Sequence, residues 1–300
     1  MILIAVFLGI SIWIRKRRTT TQVFLLKSYF SSSMNVFLIT LGFLALLTFF
    51  AHNISQDYYI FGTDKIGQEV FYAALKSIRT GLVLGTVTTL VVLPFALLLG
   101  AYAGYFGGLV DDVIQYVYTT LSSIPGVLLI AASVLALQIF IANHPSWFVT
   151  IAARADARLL ALCFILGITS WTSLCRLLRG ETLKLREMDY VHAAKALGVG
   201  HFKIILRHVL PNMMHIVLIT VVLDFSGLVL AEAVLTYIGV GVDPSSYSWG
   251  NMINTARLEL ARDPVVWWPL LAAFCSMFLL VITTNLVADS VREAFDPRID

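Results

Sequence analysis

Apolar runs of about twenty residues or more, enough to cross roughly 30 Å of hydrocarbon as helices, recur along this chain and exclude most other architectures. They fall at 33–51, 81–105, 113–141, 156–178, 213–239 and 265–288. Of the 300 residues, 59% are hydrophobic and only 13% charged, where soluble domains carry about one quarter charged residues. Most of the surface must therefore face something other than water. The fold expected is all-α, a polytopic membrane protein of about six transmembrane helices, because a helix satisfies its own backbone polar groups in lipid. The third run contains Ser122-Ser123-Ile124-Pro125. Proline removes an amide donor and clashes with the preceding turn, so a break is expected there, inside protein or beside water.

Basic residues give the runs a direction. With the first clear span entered from the cytoplasm, fourteen Lys and Arg lie inside and seven outside. The opposite topology places the most basic loop, between spans four and five, on the wrong side. Both termini are thus expected in the cytoplasm. The chain divides into 1–32, an apolar segment plus a basic stretch; 33–51, the first clear span; 52–80, an outside linker with an amphipathic stretch from Val70 to Thr80; 81–290, the core; and 291–300, a tail. Residues 1–14 end at Arg15-Lys16-Arg17-Arg18 and are short for a span. They fit a tilted extra span, an interfacial segment or a misplaced start. Cys163, Cys175 and Cys275 lie in apolar stretches without C-x-x-C spacing, so they read as small buried residues rather than ligands or disulfide partners. Trp249, Trp267 and Trp268 read as interfacial anchors, and Lys76 and Arg79 as side chains reaching the headgroups.

Residues 179–211 are too long and too patterned for a simple connection. Asp189 is placed to cap a short helix through Tyr190, Val191, Ala193, Ala194 and Leu197, and Gly198 and Gly200 to end it and turn the chain. A second amphipathic helix is expected from about His201 to Val209, stopping near Pro211. Two helices joined by a glycine elbow make a knob for a partner. Ala193 and Ala194 would let another backbone approach, and Tyr190 and Leu197 would serve as apolar anchors.

This loop resembles the E-A-A-x-x-x-G-x(9)-I-x-L-P signature of the permease subunits of bacterial ABC importers. His192-Ala193-Ala194, Gly198 and Val209-Leu210-Pro211 stand in register. His192 replaces the glutamate and His208 the isoleucine, as in the dipeptide and oligopeptide branch. Other segments are similar to that branch as well. They are Phe61-Gly62-Thr63-Asp64-Lys65-Ile66-Gly67-Gln68-Glu69-Val70, Gly104-Tyr105-Phe106-Gly107-Gly108, Leu235 to Gly241, Trp249-Gly250-Asn251-Met252, and Asn285 to Arg298. Gln68 and Glu69 depart from its arginine and aspartate.

The resemblance implies a type I importer permease fold with a cytoplasmic coupling helix, and a bacterial inner membrane as the site of action. It implies a subunit without catalytic residues that carries peptides, or another cargo such as nickel, beside a sister permease in a heterodimer. Two ABC ATPase subunits and an extracytoplasmic substrate-binding protein complete the assembly. The ATPase-coupling residues it implies are Asp189, Tyr190, His192, Ala193, Ala194, Leu197, Gly198, Leu210 and Pro211. No G-x-x-x-x-G-K-[ST] loop is present, so ATP and Mg²⁺ belong to the partners and no cofactor or metal is expected here. The lipid bilayer is the remaining partner, and nucleic acid is not expected.

Asp224 and Glu232, eight apart in the fifth run, share a helical face. Intramembrane carboxylates face protein or a water-filled cavity, so the two are candidates for the translocation path, with contact to the sister subunit as the alternative. His192, His201 and His208 do not converge at metal-ligand spacing. An intramembrane serine hydrolase needs serine and histidine on neighbouring spans, but the histidines sit in loops or at span ends. A channel reading lacks a filter-like carbonyl loop.

Overall fold

The computed structural model describes residues 58–295 and, before them, most of 35–54, with side chains as far as residue 290. The expectations for residues 1–34 and for the end of the tail lie outside the described residues. The chain forms two units, divided between Ile60 and Phe61. In the first, α1 (Phe37–Ile54) is apolar and long enough to cross a membrane.

The second unit is built on helices joined by short loops. Its elements are α2 (Val70–Phe106), α3 (Gly108–Ser123), α4 (Gly126–Asn143), α5 (Ile151–Leu185) and α6 (Asp189–Ala196). They are followed by α7 (His201–Tyr237, with a π turn at Ile205–Val209), α8 (Trp249–Glu259) and α9 (Trp268–Phe295). Among the described residues five helices are long and apolar enough to cross a membrane, namely α1, α2, α4, α7 and α9. The expected fourth span, within α5, is not one of these. At 35 residues and about 1.5 Å per residue, however, α5 matches the length of α2 and packs along it.

That pairing is the spine of the molecule, and small residues make it possible. Gly100 and Gly104 on α2 lie one turn apart, against Cys175, Leu178 and Thr182 of α5. A Cβ on Gly100 would stand 2.8 Å from the Cys175 carbonyl oxygen, and one on Gly104 2.6 Å from that of Arg179. Gly167 of α5 answers in kind, receiving Val91 of α2. Without a hydrophobic drive between helices in lipid, such close approach is what holds spans together.

The break in the third run occurs where expected. Helix α3 ends at Ser123 and α4 begins at Gly126, with Ile124 and Pro125 in extended backbone. Ser122 donates to Thr172 of α5, and Ile130 and Val134 of α4 pack with Leu162 and Leu166 of α5. The two pieces therefore climb the same neighbour in sequence.

Several boundaries differ from expectation. Residues 70–80 are not a separate stretch at the interface but the first turns of α2. Ser77 is buried there, and Lys76 sits between the rings of Tyr72 and Tyr247, 4.8 and 5.0 Å from their centroids. Trp249 is no interfacial anchor. It is 1% exposed and lies against Gly81. Trp268 donates its indole N–H to the Thr63 carbonyl at 2.9 Å, and of these three tryptophans only Trp267 stays largely exposed.

Candidate coupling site

Helix α6 begins at Asp189, with Met188 at the N-cap and no side-chain capping bond. Asp189 is thus the first helical residue rather than the cap, still placed where a carboxylate suits the positive end of the helix dipole. The helix ends on Gly198 at φ +75°. Val199 N–H donates to the Ala194 carbonyl at 3.1 Å and Gly198 N–H to that of Lys195 at 3.0 Å. The doubled reverse bonding is that of a Schellman turn, which requires a left-handed residue at this point.

The second helix of the loop does not stop near Pro211. It passes through the π turn at Ile205–Val209 and continues as the span α7. Pro211 has no N–H for the carbonyl four residues back and crowds it. The wider turn just upstream accommodates the ring, and Asn212 Nδ2 donates to the His208 carbonyl at 2.7 Å. The knob is therefore rigidly continuous with a membrane crossing.

Four aliphatic side chains fasten the loop to the bundle. Val191, Ile204, Ile205 and Val209 are buried with Ala101, Tyr105, Leu178 and Met213. Each contributes about 1.5–3 kcal/mol of apolar burial. Polar contacts add direction. The Tyr105 hydroxyl and His201 Nδ1 are hydrogen-bonded at 2.9 Å, and Lys195 Nζ lies 5.0 Å from the Tyr105 ring centroid. Arg186 donates to the Gly104 carbonyl at 3.2 Å and to Glu187 at 2.8 Å, and this guanidinium holds the Glu187 carboxyl below its ordinary range. Behind the loop, Arg179 makes a two-point pair with Asp111, at 2.5 and 2.6 Å.

The nine loop residues singled out by sequence separate by direction. Ala194 is buried, and Leu210 is partly buried at the edge of the same core. Ala193, His192, Asp189, Gly198 and Pro211 are exposed. Leu197 is 83% exposed, while Tyr190, 40% exposed, accepts a hydrogen bond from Asn212 Nδ2 at 3.0 Å. Met188, Phe202 and Leu206, which sequence reasoning passed over, join this exposed apolar surface. Glu187 lies 3.6 Å from His192. Of the two alanines, then, only Ala193 presents itself outward, because Ala194 serves the close packing of the loop on its own bundle.

Asp224 and Glu232 do not share a surroundings. Glu232 is 1% exposed, and its carboxylate accepts from Thr236 Oγ1 at 2.8 Å. Thr236 Oγ1 in turn accepts from Val242 N–H at 3.2 Å, so the pair pins the connection after α7. Substituting Thr236→Val keeps the shape and removes the donor. A loss of about 1–3 kcal/mol is expected, read as a lower melting temperature of the detergent-solubilised protein. Asp224 is half-buried and makes no hydrogen bond or ion pair with the described residues.

A bundle of long apolar helices with an interlocked small-residue seam and a helical knob between α5 and α7 defines a polytopic membrane protein. The family model for the binding-protein-dependent transport system inner membrane component matches residues 96–300, and the chain belongs to that family. Among similar proteins is the oligopeptide transport system permease protein OppC of Mycobacterium bovis, 29% identical over 236 residues, covering 79% of this chain and 75% of the relative. Another is the glutathione transport system permease protein GsiD of Pectobacterium atrosepticum, 30% identical over 239 residues, covering 79% and 72%. A solved structure of the MetNI methionine ABC transporter in inward-facing conformations aligns at a TM-score of 0.53 and 13% identity, over 73% of this chain and 96% of that one. At that identity the likeness is one of fold.

Proposed function

We propose that this chain is a translocation-path subunit of an ATP-driven importer of small peptides in a bacterial inner membrane. It takes ATPase force through the 189–211 loop. The relatives OppC and GsiD, an oligopeptide and a glutathione permease by name, support the cargo class. Fourteen basic residues on the loop side support a cytoplasmic loop and cytoplasmic termini. The partners are a sister permease, two ATPase subunits that bind the ATP and Mg²⁺, and an extracytoplasmic binding protein. Asp224, without a partner among the described residues, faces the sister subunit or the path and attracts the cargo's amino terminus. Glu232 acts on the path only indirectly, by holding the connection that follows α7.

One observation carries the reading. The loop is anchored by four buried aliphatic residues and continuous with α7, yet it holds Leu197, Tyr190 and Phe202 out to a partner. Nucleotide binding must favour one packing of the helices over another, and a rigid knob transmits that preference where a tether would not. The test is co-purification of the ATPase subunits, with uptake of labelled dipeptide, for Leu197→Asp and Gly198→Trp. Gly198 has open space around it but a left-handed backbone, so tryptophan there both strains the turn and blocks the knob. Both variants insert normally, lose the ATPase and lose uptake. Full uptake by Gly198→Trp would remove the docking assignment.

A further inference from the structure

At the end of the bundle opposite the knob, a cleft of about 40 Å³ opens between the 61–69 loop, the first turn of α2, α8 and the start of α9. Its polar lining is Asp64, Gln68, Glu69, Thr255 and Glu259, with no basic side chain. Asp64 is occupied by its own turn, accepting from the Ile66 and Gln68 N–H groups at 2.8 Å each. Glu69 stands at the N-cap of α2 without making a capping bond. Glu259 is 2% exposed, and its Oε2 is buried with no hydrogen-bond partner among the described residues.

A buried carboxylate left unpaired is costly, so this one calls for a cation. Among the described residues no three carboxylates, thiolates or imidazoles stand close enough to hold a metal ion. The cleft admits a group the size of a water or an ammonium and not a peptide residue. Helix α8 and the 61–69 loop lie outside the spans, where a protein partner reaches them. The family to which the chain belongs works with a binding protein.

We infer that the Glu69–Glu259 cleft is a socket for a lysine ammonium of the extracytoplasmic binding protein. The inference rests on the importer reading, which places this end of the bundle outside. A lysine entering the cleft supplies the missing donor to Glu259 and fixes the register of the docked protein. Specific docking of this kind draws on charge complementarity for both approach and registration.

The experiment measures the dissociation constant of the importer's extracytoplasmic binding protein for the assembled importer in nanodiscs, at two salt concentrations. Glu259→Gln weakens it at least tenfold and flattens its salt dependence, and Glu69→Gln weakens it less. The melting temperature of Glu259→Gln stays level or rises, because an unpaired charge has been removed. A lysine-to-glutamine scan of the binding protein finds one position whose loss adds nothing to that of Glu259→Gln. Unchanged affinity in both variants, or a fall in melting temperature with unchanged affinity, overturns the socket and leaves the importer reading standing. No binding by the unaltered importer sinks both.

Discussion

Leucine in place of Gly104 keeps the helices from assembling, and the protein fails to accumulate in the membrane. An ideal Cβ at this position meets Thr182 Cβ at 2.5 Å and the Arg179 carbonyl oxygen at 2.6 Å. The backbone of α5 cannot yield as a flexible side chain would. The Gly104 carbonyl also accepts from Arg186, so separating α2 from α5 detaches the root of the knob. Alanine at Gly104 is expected to cost about 1–3 kcal/mol, the usual range for overpacking. Leucine adds three further carbons to the same contact and exceeds much of the roughly 5–15 kcal/mol by which a folded chain is stable. Gly180 provides the control. It lies in α5 two residues from Thr182 with nothing within 4 Å of an added Cβ. Gly180→Ala is expected to be neutral or stabilising by up to about 1 kcal/mol, since alanine is the better helix former. Membrane accumulation and melting temperature, measured for the three variants together, check the prediction. Normal accumulation of Gly104→Leu would show that the seam is looser than its geometry.

The contrast between those glycines shows where sequence reading succeeds here and where it stops. Runs of apolar residues and the proline at 125 locate most of the crossings and the break in the third, because both signals act through the chain's own backbone. The elbow at Gly198 was legible for the same reason: a left-handed helix end needs glycine locally. Direction was harder. Trp249 sits in sequence where interfacial tryptophans sit, but it is buried against Gly81, a contact made across more than 160 residues and therefore invisible to periodicity. Lys76 reads in sequence as a headgroup contact, and only the fold brings Tyr247, about 170 residues away, to it opposite Tyr72. The start of α7 was misplaced because Pro211 announces a stop, while the π turn that carries the helix past it depends on Ile204, Ile205 and Val209 being held in the core. Ala194 and Ala193 are adjacent and alike, and only the packed structure separates the one that faces in from the one that faces out.

Removing one member of the Asp111–Arg179 pair should be the most damaging single polar change in the loop-side half of the molecule. The two side chains are 13% and 22% exposed and meet through two parallel bonds, so neither charge is well hydrated once its partner has gone. Arg179→Met strands the Asp111 carboxylate in the first turn of α3 without its two-point partner, and a loss of roughly 2–3 kcal/mol is expected, below the 3–5 kcal/mol of fully buried pairs. The double variant Asp111→Asn/Arg179→Met recovers a large part of it, because no charge is then stranded. Acid tests the same pair without mutation. The Arg179 guanidinium holds the Asp111 carboxyl below its ordinary range. Its contribution is therefore fully present above the unfolded value of about 3.9, and it is lost as pH falls through the lower folded value. Arg179→Met should flatten that acid limb of the melting-temperature profile, and the double variant should abolish it. Equal acid sensitivity in all three proteins would mean that the pair does not tie α3 to α5, and that the knob behind which it lies is held without it, by its aliphatic residues and the Tyr105 and Arg186 contacts.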